Sequence, residues 1–295
     1  MLRYLLRRLN LFLATSLVMI GVLFYATGLF PIERTFALTG IHSPSAAQLS
    51  QIEQDYKLDS NKALQFIAYL QQRLSGNLGV SVTSHQSVAE ELSTVLPASF
   101  ELAVMAAVIA IGLGVPLGVL ASQSQHKLTQ NTIMAITLTG YSVPVFWLGL
   151  YLSLWFGVDL GWLPISGQLN LLYEIKPVTG FMLVDILLSD SEYRISAFKD
   201  ALLHIILPAT TLAVLPFTVV VRSTRSAMMN VMNQTFIRAA EARGMHTNTI
   251  ILRHALPNAL IPVLKHLGLM LGAFASYAIV VEVIFSWPGV GSWFC

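Results

Sequence analysis

The sequence is poor in charged residues and has a single cysteine. Of its 295 residues, 11% are charged and 55% are hydrophobic, whereas an ordinary soluble domain carries about 25% charged residues. Because Cys295 is the one cysteine, an intrachain disulfide and a metal site built from cysteines are both excluded. The low charge indicates that much of the chain lies in lipid.

Other missing patterns exclude whole classes of function. No Gly-rich loop ends in Gly-Lys-Ser/Thr, so the sequence has no cradle for ATP phosphates. No series of acids or histidines crosses the apolar runs, which argues against a proton-driven carrier. An intramembrane enzyme would need catalytic groups at membrane depth, yet no run carries two aspartates. His204 and His266 lie at run ends, where we expect interfacial or capping roles. We therefore predict no catalytic residue, cofactor or metal ligand.

The apolar residues are bunched into long runs. A hydrocarbon core about 30 Å thick takes roughly 20 helical residues, and barrel strands would instead alternate in segments of about 10 residues. The runs do not alternate, so they predict spanning helices. Their approximate limits are 9–30, 97–121, 132–156, 205–221 and 259–284.

Charges between the runs predict the orientation of the chain. Three segments are basic: the N-terminus, the short link between runs two and three, and residues 222–258, which hold five arginines against one acid. The connections 31–96 and 157–204 hold seven Lys and Arg against twelve Asp and Glu. Because basic segments stay in the cytoplasm, we expect a cytoplasmic N-terminus and two outer connections. A cleaved signal peptide is the alternative for run one, but that run is long and only Ala26-Thr27-Gly28 resembles a cleavage site.

The outer segment 31–96 is interpreted as a soluble flap over the outer mouth, with one helix near its middle. Asp59 or Ser60 would cap this helix, and Gly76 would end it in the left-handed conformation. Its apolar face would consist of Leu64, Ile67, Ala68 and Leu74.

Some residues inside the runs have simple structural interpretations. Glu101 and Glu282 lie near the outer ends of runs two and five, where we expect both to sit at the membrane interface because a charge in lipid is expensive. Glycines four residues apart let helices approach closely. We interpret these glycines as positions where helices of one subunit pack closely together. The alternative is that they form surfaces that slide or kink during transport. The pairs are Gly114 with Gly118, and Gly268 with Gly272.

The segment 233–262 carries the most informative pattern. Asn233 can cap a short helix that Gly244 terminates, and Thr247 can start a second helix that Pro257 breaks before run five. Such a basic helical pair either touches lipid head groups or docks in a groove of a partner protein. The inward faces would be Phe236, Ile237 and Ala240 in the first helix, and Ile250, Ile251 and His254 in the second.

This segment resembles the EAA loop of binding-protein-dependent ABC permeases. The family pattern is Glu-Ala-Ala, three residues, Gly, a long gap and Leu-Pro. Arg238 stands in place of the first glutamate, which is typical of the peptide and nickel branch, and Glu241 follows within the loop. The matching positions are Ala239, Ala240, Gly244, Leu256 and Pro257. The resemblance implies that residues 230–258 form the loop through which a separate ATPase acts.

Further motifs occur in the family's order. Segments 76–81, 161–167 and 282–291 are similar to motifs of the peptide branch. Segments 172–180 and 188–191 look like the SapB-type permeases of antimicrobial-peptide uptake systems. The resemblance therefore covers nearly the whole chain.

The resemblance implies an all-α polytopic helical bundle, the transmembrane domain of a type I ABC importer. Residues 1–31 would form the cytoplasmic end and first span, 32–94 a periplasmic segment, and 95–295 the permease domain. The family has a sixth span after the Pro-Gly motif, whereas the sequence shows five. We therefore expect either a truncated C-terminal helix or a subunit with five spans, whose C-terminus would lie outside, contrary to the family.

The implied assembly contains a second, different permease chain, two cytoplasmic ATPases and a periplasmic substrate-binding protein in a bacterial inner membrane. Its cargo would be a peptide, specifically an antimicrobial peptide. Nickel or putrescine carried by the same architecture is the first alternative, and a channel that works alone is another.

Overall fold

The structure is a computed structural model that describes residues 2–27, 29, 34–41 and 44–295. All regular elements within these residues are helices, which confirms the all-α prediction. The chain forms two compact units, Met1–Ser93 and Thr94–Cys295. The predicted boundary between residues 31 and 32, and the predicted end of run one at Phe30, lie outside the described residues.

Thirteen α-helices and two π-helical turns are described along these ranges. In the first unit these are α1 (Leu2–Thr27), α2 (Arg34–Thr39), α3 (Ala46–Tyr56), α4 (Lys62–Leu74) and the start of α5 (Val88–Gln123). The second unit continues with α6 (Lys127–Ser142), α7 (Val145–Leu152), α8 (Met182–Leu188), α9 (Arg194–Met232), α10 (Thr235–Ala242), α11 (Thr247–Thr249), α12 (Leu256–Ile284) and α13 (Val290–Phe294). The π-helical turns are Ser153–Asp159 after α7 and Ile250–Ala255 before α12.

Helix α4 in the first unit has a different cap from the one predicted. The side chain of Asn61 accepts a hydrogen bond from the backbone N–H of Leu64 at 2.9 Å. The prediction of Asp59 or Ser60 as the cap is therefore wrong by one or two residues. Gly76 follows the helix with a φ of 90°, which confirms the predicted left-handed conformation.

The buried face of α4 also differs from the predicted apolar face. Ala68 is buried as expected, but the other inward residue is Gln65. The Gln65 amide donates hydrogen bonds to the carbonyls of Leu58 and Ser60 at 2.7 and 2.9 Å. Because this polar residue has partners inside the fold, apolar patterning could not identify it. The predicted members that are exposed instead are Leu64, Ile67 and Leu74.

Four helical segments are long and apolar enough to cross a membrane, and each covers one of the predicted runs. They are Leu6–Thr27, Val88–Gln123, Arg194–Met232 and Thr247–Ile284. The remaining run is divided into Lys127–Ser142 and Val145–Asp159, which meet at an angle of 102°. The five-run prediction therefore holds only if this bent pair counts as one span.

The bend between α6 and α7 has a local cause. Val143 is extended, with φ −80° and ψ 127°, because the ring of Pro144 disfavours the helical region for the residue before it. Pro144 then starts α7, where its missing N–H breaks no intrahelical bond.

Helix α9 lies at the centre of the second unit, in contact with α6, α7, α8 and α12. It also packs closely on α5. A Cβ at Gly114 would lie 2.8 Å from the Val220 side chain, and one at Gly118 would lie 2.6 Å from that of Thr224. These contacts confirm intrachain packing for the first glycine pair.

The second glycine pair, on α12, behaves differently. A Cβ at Gly268 or Gly272 would meet no other described part of the chain within 4 Å. For this pair the structure therefore shows no close approach by another described part of the chain, and both interpretations of its role stay predictions.

The two acids expected at the membrane interface are buried. Glu101 is 7% exposed and accepts hydrogen bonds from the backbone N–H groups of Met182 and Leu183 at 3.2 and 2.8 Å. Glu282 is 1% exposed. The sequence did not predict this burial, which is possible because the folded chain supplies donors that a carboxylate can use away from water. The position of both acids at the membrane interface stays a prediction. His204, expected at the interface or as a cap, is likewise buried, with Nδ1 2.9 Å from the carbonyl of Asp200.

Candidate functional site

The candidate site is the basic segment between α9 and α12, which begins with α10. Its N-terminal cap position is Gln234, not Asn233 as predicted. The Asn233 side chain donates a hydrogen bond back to the carbonyl of Met229 at 2.9 Å, so it completes the end of α9. The sequence signal for a cap was correct in kind, but the side chain serves the preceding helix.

Gly244 ends α10 through its left-handed backbone. It has a φ of 76°, its N–H donates to the carbonyl of Glu241 at 2.9 Å, and the N–H of Met245 donates to that of Ala240 at 3.3 Å. These two bonds form a Schellman motif, which satisfies carbonyls that the helix end would leave free. A Cβ at Gly244 would meet no other described atom within 4 Å.

The second predicted short helix is the beginning of the last span. Thr247 starts it as expected, after the ring nitrogen Nδ1 of His246 accepts a hydrogen bond from the N–H of Asn248 at 3.3 Å. The helix then continues through the π-helical turn into α12. Pro257 does not break it, because Pro257 lies in the first turn of α12, where its missing N–H is tolerated. The prediction of a break at Pro257 is wrong.

The inward face of this segment is apolar and packs on the end of α9. Ile237 is fully buried and Ala240 is 9% exposed, whereas Phe236, predicted on the same face, is exposed. Ile237 and Ala240 belong to an apolar cluster whose other buried members are Ala227, Met228, Ile250, Ala255 and Ala259. The cluster holds α10 against both α9 and the start of the last span.

The predicted site residues divide between the inner and the outer surface of the segment. Ala240 points into the cluster and Leu256 is half-buried against it. The exposed members are Arg238, Ala239, Glu241, Gly244 and Pro257. Sequence reasoning placed Ala240 in a partner contact, and that role stays a prediction; the structure shows this side chain packed in the cluster.

The exposed side chains of residues 222–258 are strongly basic. One exposed acid, Glu241, stands against four exposed arginines, which are Arg222, Arg238, Arg243 and Arg253. Such a surface attracts an acidic partner or anionic lipid head groups. Two exposed apolar side chains in this segment, Phe236 and Leu252, were not predicted as site residues. The sequence placed Phe236 on the inward face and gave no signal for Leu252.

Apolar helices long enough to cross a membrane, joined by a basic segment, indicate a multi-pass membrane protein. The family model described as "Binding-protein-dependent transport system inner membrane component" matches residues 114–295. The chain belongs to this family and is a multi-pass inner-membrane protein.

Similar proteins carry permease names. The chain is 39% identical over 293 residues to the "Di/tripeptide transport system permease protein DppB" of Pseudomonas aeruginosa (strain UCBPP-PA14), covering 99% of this chain and 86% of the relative. It is 46% identical over 217 residues to the "Putrescine export system permease protein SapB" of Escherichia coli (strain K12), covering 74% and 68%. It is 44% identical over 220 residues to the "Peptide transport system permease protein SapB" of Salmonella typhimurium (strain LT2), covering 75% and 68%.

Proposed function

We propose that the chain is the membrane-spanning subunit of an ATP-driven importer for peptides. The observation that carries this proposal is the similarity to a di/tripeptide permease over 99% of the chain. The subunit would work with a second permease chain, two cytoplasmic ATPases and a periplasmic substrate-binding protein. It would contribute no catalytic residue of its own.

We further propose that α10 and the turn after it, within the loop 230–258, contact the ATPase. The exposed surface at Arg238, Ala239, Glu241 and Gly244 presents small side chains, which permit close approach, and a basic rim. The buried cluster behind Ala240 joins this surface to α9 and to the last span. A partner that pushes on α10 therefore pushes on spanning helices rather than on a loose loop.

Photocrosslinking tests the contact directly. A photoreactive residue at Ala239, in the complete complex in native membranes, should form adducts with the ATPase subunit. Leu171 provides the control position, because it is 97% exposed but belongs to the segment predicted outside. Adducts of position 239 with lipid alone would remove the docking proposal and leave an interfacial segment.

Substitution at Gly244 tests the same contact by function. Gly244→Trp should lower peptide uptake per ATP hydrolysed by about tenfold or more, as expected when bulk enters the centre of an interface. Gly244→Ala is the matched control, since it introduces the same left-handed strain of about 1–2 kcal/mol without the bulk. Equal effects of both variants would assign the loss to backbone strain. Unchanged uptake and ATPase stimulation in Gly244→Trp would contradict docking at this turn.

The cargo is proposed to be an antimicrobial peptide, from the likeness of segments 172–180 and 188–191 to SapB-type permeases. Putrescine is the second candidate, because the similar Escherichia coli K12 SapB is named for putrescine export. Proteoliposomes with the complete complex and its binding protein should accumulate a labelled cationic antimicrobial peptide when ATP is supplied. A labelled tripeptide and labelled putrescine are the comparison probes. Movement of putrescine alone would replace the peptide proposal.

A further inference from the structure

A second organised site lies at the other end of α12, where the chain turns back after Ile284. Phe285 and Trp287 are each 1% exposed and belong to the main apolar cluster of the second unit. The indole N–H of Trp287 donates to the carbonyl of Ala98 in α5 at 2.9 Å. The turn is therefore anchored on a helix almost two hundred residues earlier in the chain.

The carboxylate of Glu282 is the centre of this anchor. Its Oε1 accepts a hydrogen bond from the Ser99 hydroxyl at 2.7 Å, and its Oε2 accepts one from the backbone N–H of Gly291 at 2.6 Å. The Ser99 oxygen in turn accepts the N–H of Val290 at 2.8 Å. Both partners of the carboxylate are neutral, so this contact depends on hydrogen-bond geometry.

Two glycines make room for the carboxylate. A Cβ at Gly289 would collide with the Glu282 carboxylate and lie 2.5 Å from the Ser99 hydroxyl, and a Cβ at Gly291 would lie 2.8 Å from Oε2. The turn is shaped closely around the buried acid. We define Glu282, Ser99, Val290 and Gly291 as the outer latch.

The outer latch and the α10 segment are joined by one continuous helix. Thr247–Ile284 contains 38 residues, about 57 Å at 1.5 Å per residue. Its buried α12 side chains are Ala259 and Val263 at one end and Val281 and Glu282 at the other. Between Val263 and Val281, all of which the structure describes, no residue is buried. Helix α12 is thus fixed most firmly at its two ends.

We propose that Glu282 is a positioning residue that holds the outer end of α12 on α5. Because of this contact, a displacement of the α10 segment moves the outer end of the permease. This inference rests on the proposed transport function. A rigid helix transmits displacement only if its far end has a defined contact to make or break. The outer latch supplies that contact through hydrogen bonds to a buried carboxylate.

The test measures peptide uptake per ATP hydrolysed in proteoliposomes with the complete complex, its binding protein and a labelled tripeptide. Glu282→Ala should lower this ratio by about tenfold, because it leaves the Ser99 hydroxyl and the Gly291 N–H without their acceptor. Glu282→Gln should stay within about twofold of wild type, since the amide oxygen can accept from Gly291 and the amide nitrogen can donate to Ser99.

Glu101→Ala is the matched control. Glu101 is also a buried carboxylate on a spanning helix with two hydrogen-bond donors, but it holds α8 rather than α12. It should lower thermal stability without changing uptake per ATP. If Glu282→Ala does not assemble, Ser99→Ala tests the same latch from α5 and should lower the ratio by about threefold.

Several outcomes would overturn the latch. A wild-type ratio in Glu282→Ala or Ser99→Ala would show that the contact only supports folding. Equal damage from Glu282→Gln and Glu282→Ala would show that negative charge, and not hydrogen bonding, is required. Failure of the wild-type complex to move both the tripeptide and the labelled cationic antimicrobial peptide would instead count against the proposed function, so the two failures are distinguishable.

Discussion

At the scale of single residues, buried carboxylates tie distant parts of the second unit together. Glu101 and Glu282 each accept two hydrogen bonds from another element. Asp185 acts locally: from within α8 it accepts three hydrogen bonds from the residues just before that helix, from the N–H and hydroxyl of Thr179 and from the N–H of Gly180. Because each removes polar groups from water with partners already in place, these acids specify the fold more sharply than apolar contacts alone.

The pH dependence of stability should report Asp185. Burial raises the pKa of this carboxyl, but the hydrogen bonds from Thr179 and Gly180 outweigh burial and hold the pKa below its usual 3.8. A lowered folded pKa adds stability above the unfolded pKa, and this is lost as the pH falls through the folded value. Asp185→Asn should therefore destabilise the purified chain near neutral pH by about 2 kcal/mol. The difference from wild type should shrink below about pH 4, in thermal unfolding followed across pH.

Glu192→Gln is the control for this prediction, because Glu192 is exposed in the same segment. It should leave the unfolding curve unchanged at every pH. A constant gap between wild type and Asp185→Asn from acid to neutral pH would contradict the assigned role of the carboxylate.

At the scale of helices, the two glycine pairs have the same four-residue spacing but lie on different kinds of helix surface, one packed and one open. Gly114 and Gly118 let α5 approach α9, where a Cβ would lie 2.8 and 2.6 Å from side chains of α9. Gly268 and Gly272 lie on the open side of α12. The spacing predicts close approach, but only the packed structure shows whether the approaching helix belongs to the same chain.

Valine substitutions should separate the two surfaces. Gly118→Val should destabilise the isolated chain by about 1–3 kcal/mol, because overpacking forces α5 away from α9. Gly272→Val should leave the isolated chain's melting temperature unchanged, since no described atom of another element lies near it. Thermal unfolding in detergent distinguishes them. Comparable losses in both variants would show that α12 packs against its own chain at Gly272.

Helix α12 also shows how a local signal can mislead. Pro257 read as a break, yet the chain passes through it because the preceding residues Ile250–Ala255 form a π-helical turn. In such a turn the backbone hydrogen bonds join residues five apart instead of four. A proline that follows the turn therefore interrupts no regular series of α-helical hydrogen bonds. Residues Thr247–Ile284 consequently form one helix that includes the last span.

At the scale of the whole molecule, orientation follows from charge and stays a prediction. In a Cys295→Ser background, a cysteine at Leu171 should react with an impermeant thiol reagent added outside intact cells, because the acidic connection 157–204 is expected there. A cysteine at His126, in the basic link, should react only after the membrane is opened. Both positions are exposed, so accessibility within the protein does not separate them. The reverse labelling pattern would invert the topology and place α10 outside.

Much of the architecture was predictable from composition and spacing. Long apolar runs, the basic segment after run four, and Gly244 as a helix end all follow from local rules, because lipid requires internally bonded helices and a left-handed turn favours glycine. The family resemblance likewise rests on short motifs in a fixed order. These features need no knowledge of which helices touch.

The tertiary structure alone decided which polar groups are buried and which faces are open. The burial of Glu282 depends on the turn at residues 285–291, which brings Gly291 to it, and on α5, which brings Ser99. The burial of Ala240 depends on the end of α9, which packs against it. Burial and hydrogen bonding between residues far apart in the chain depend on how the helices pack. Sequence periodicity cannot predict them, because it identifies the apolar face of a single helix and not the element that packs against it.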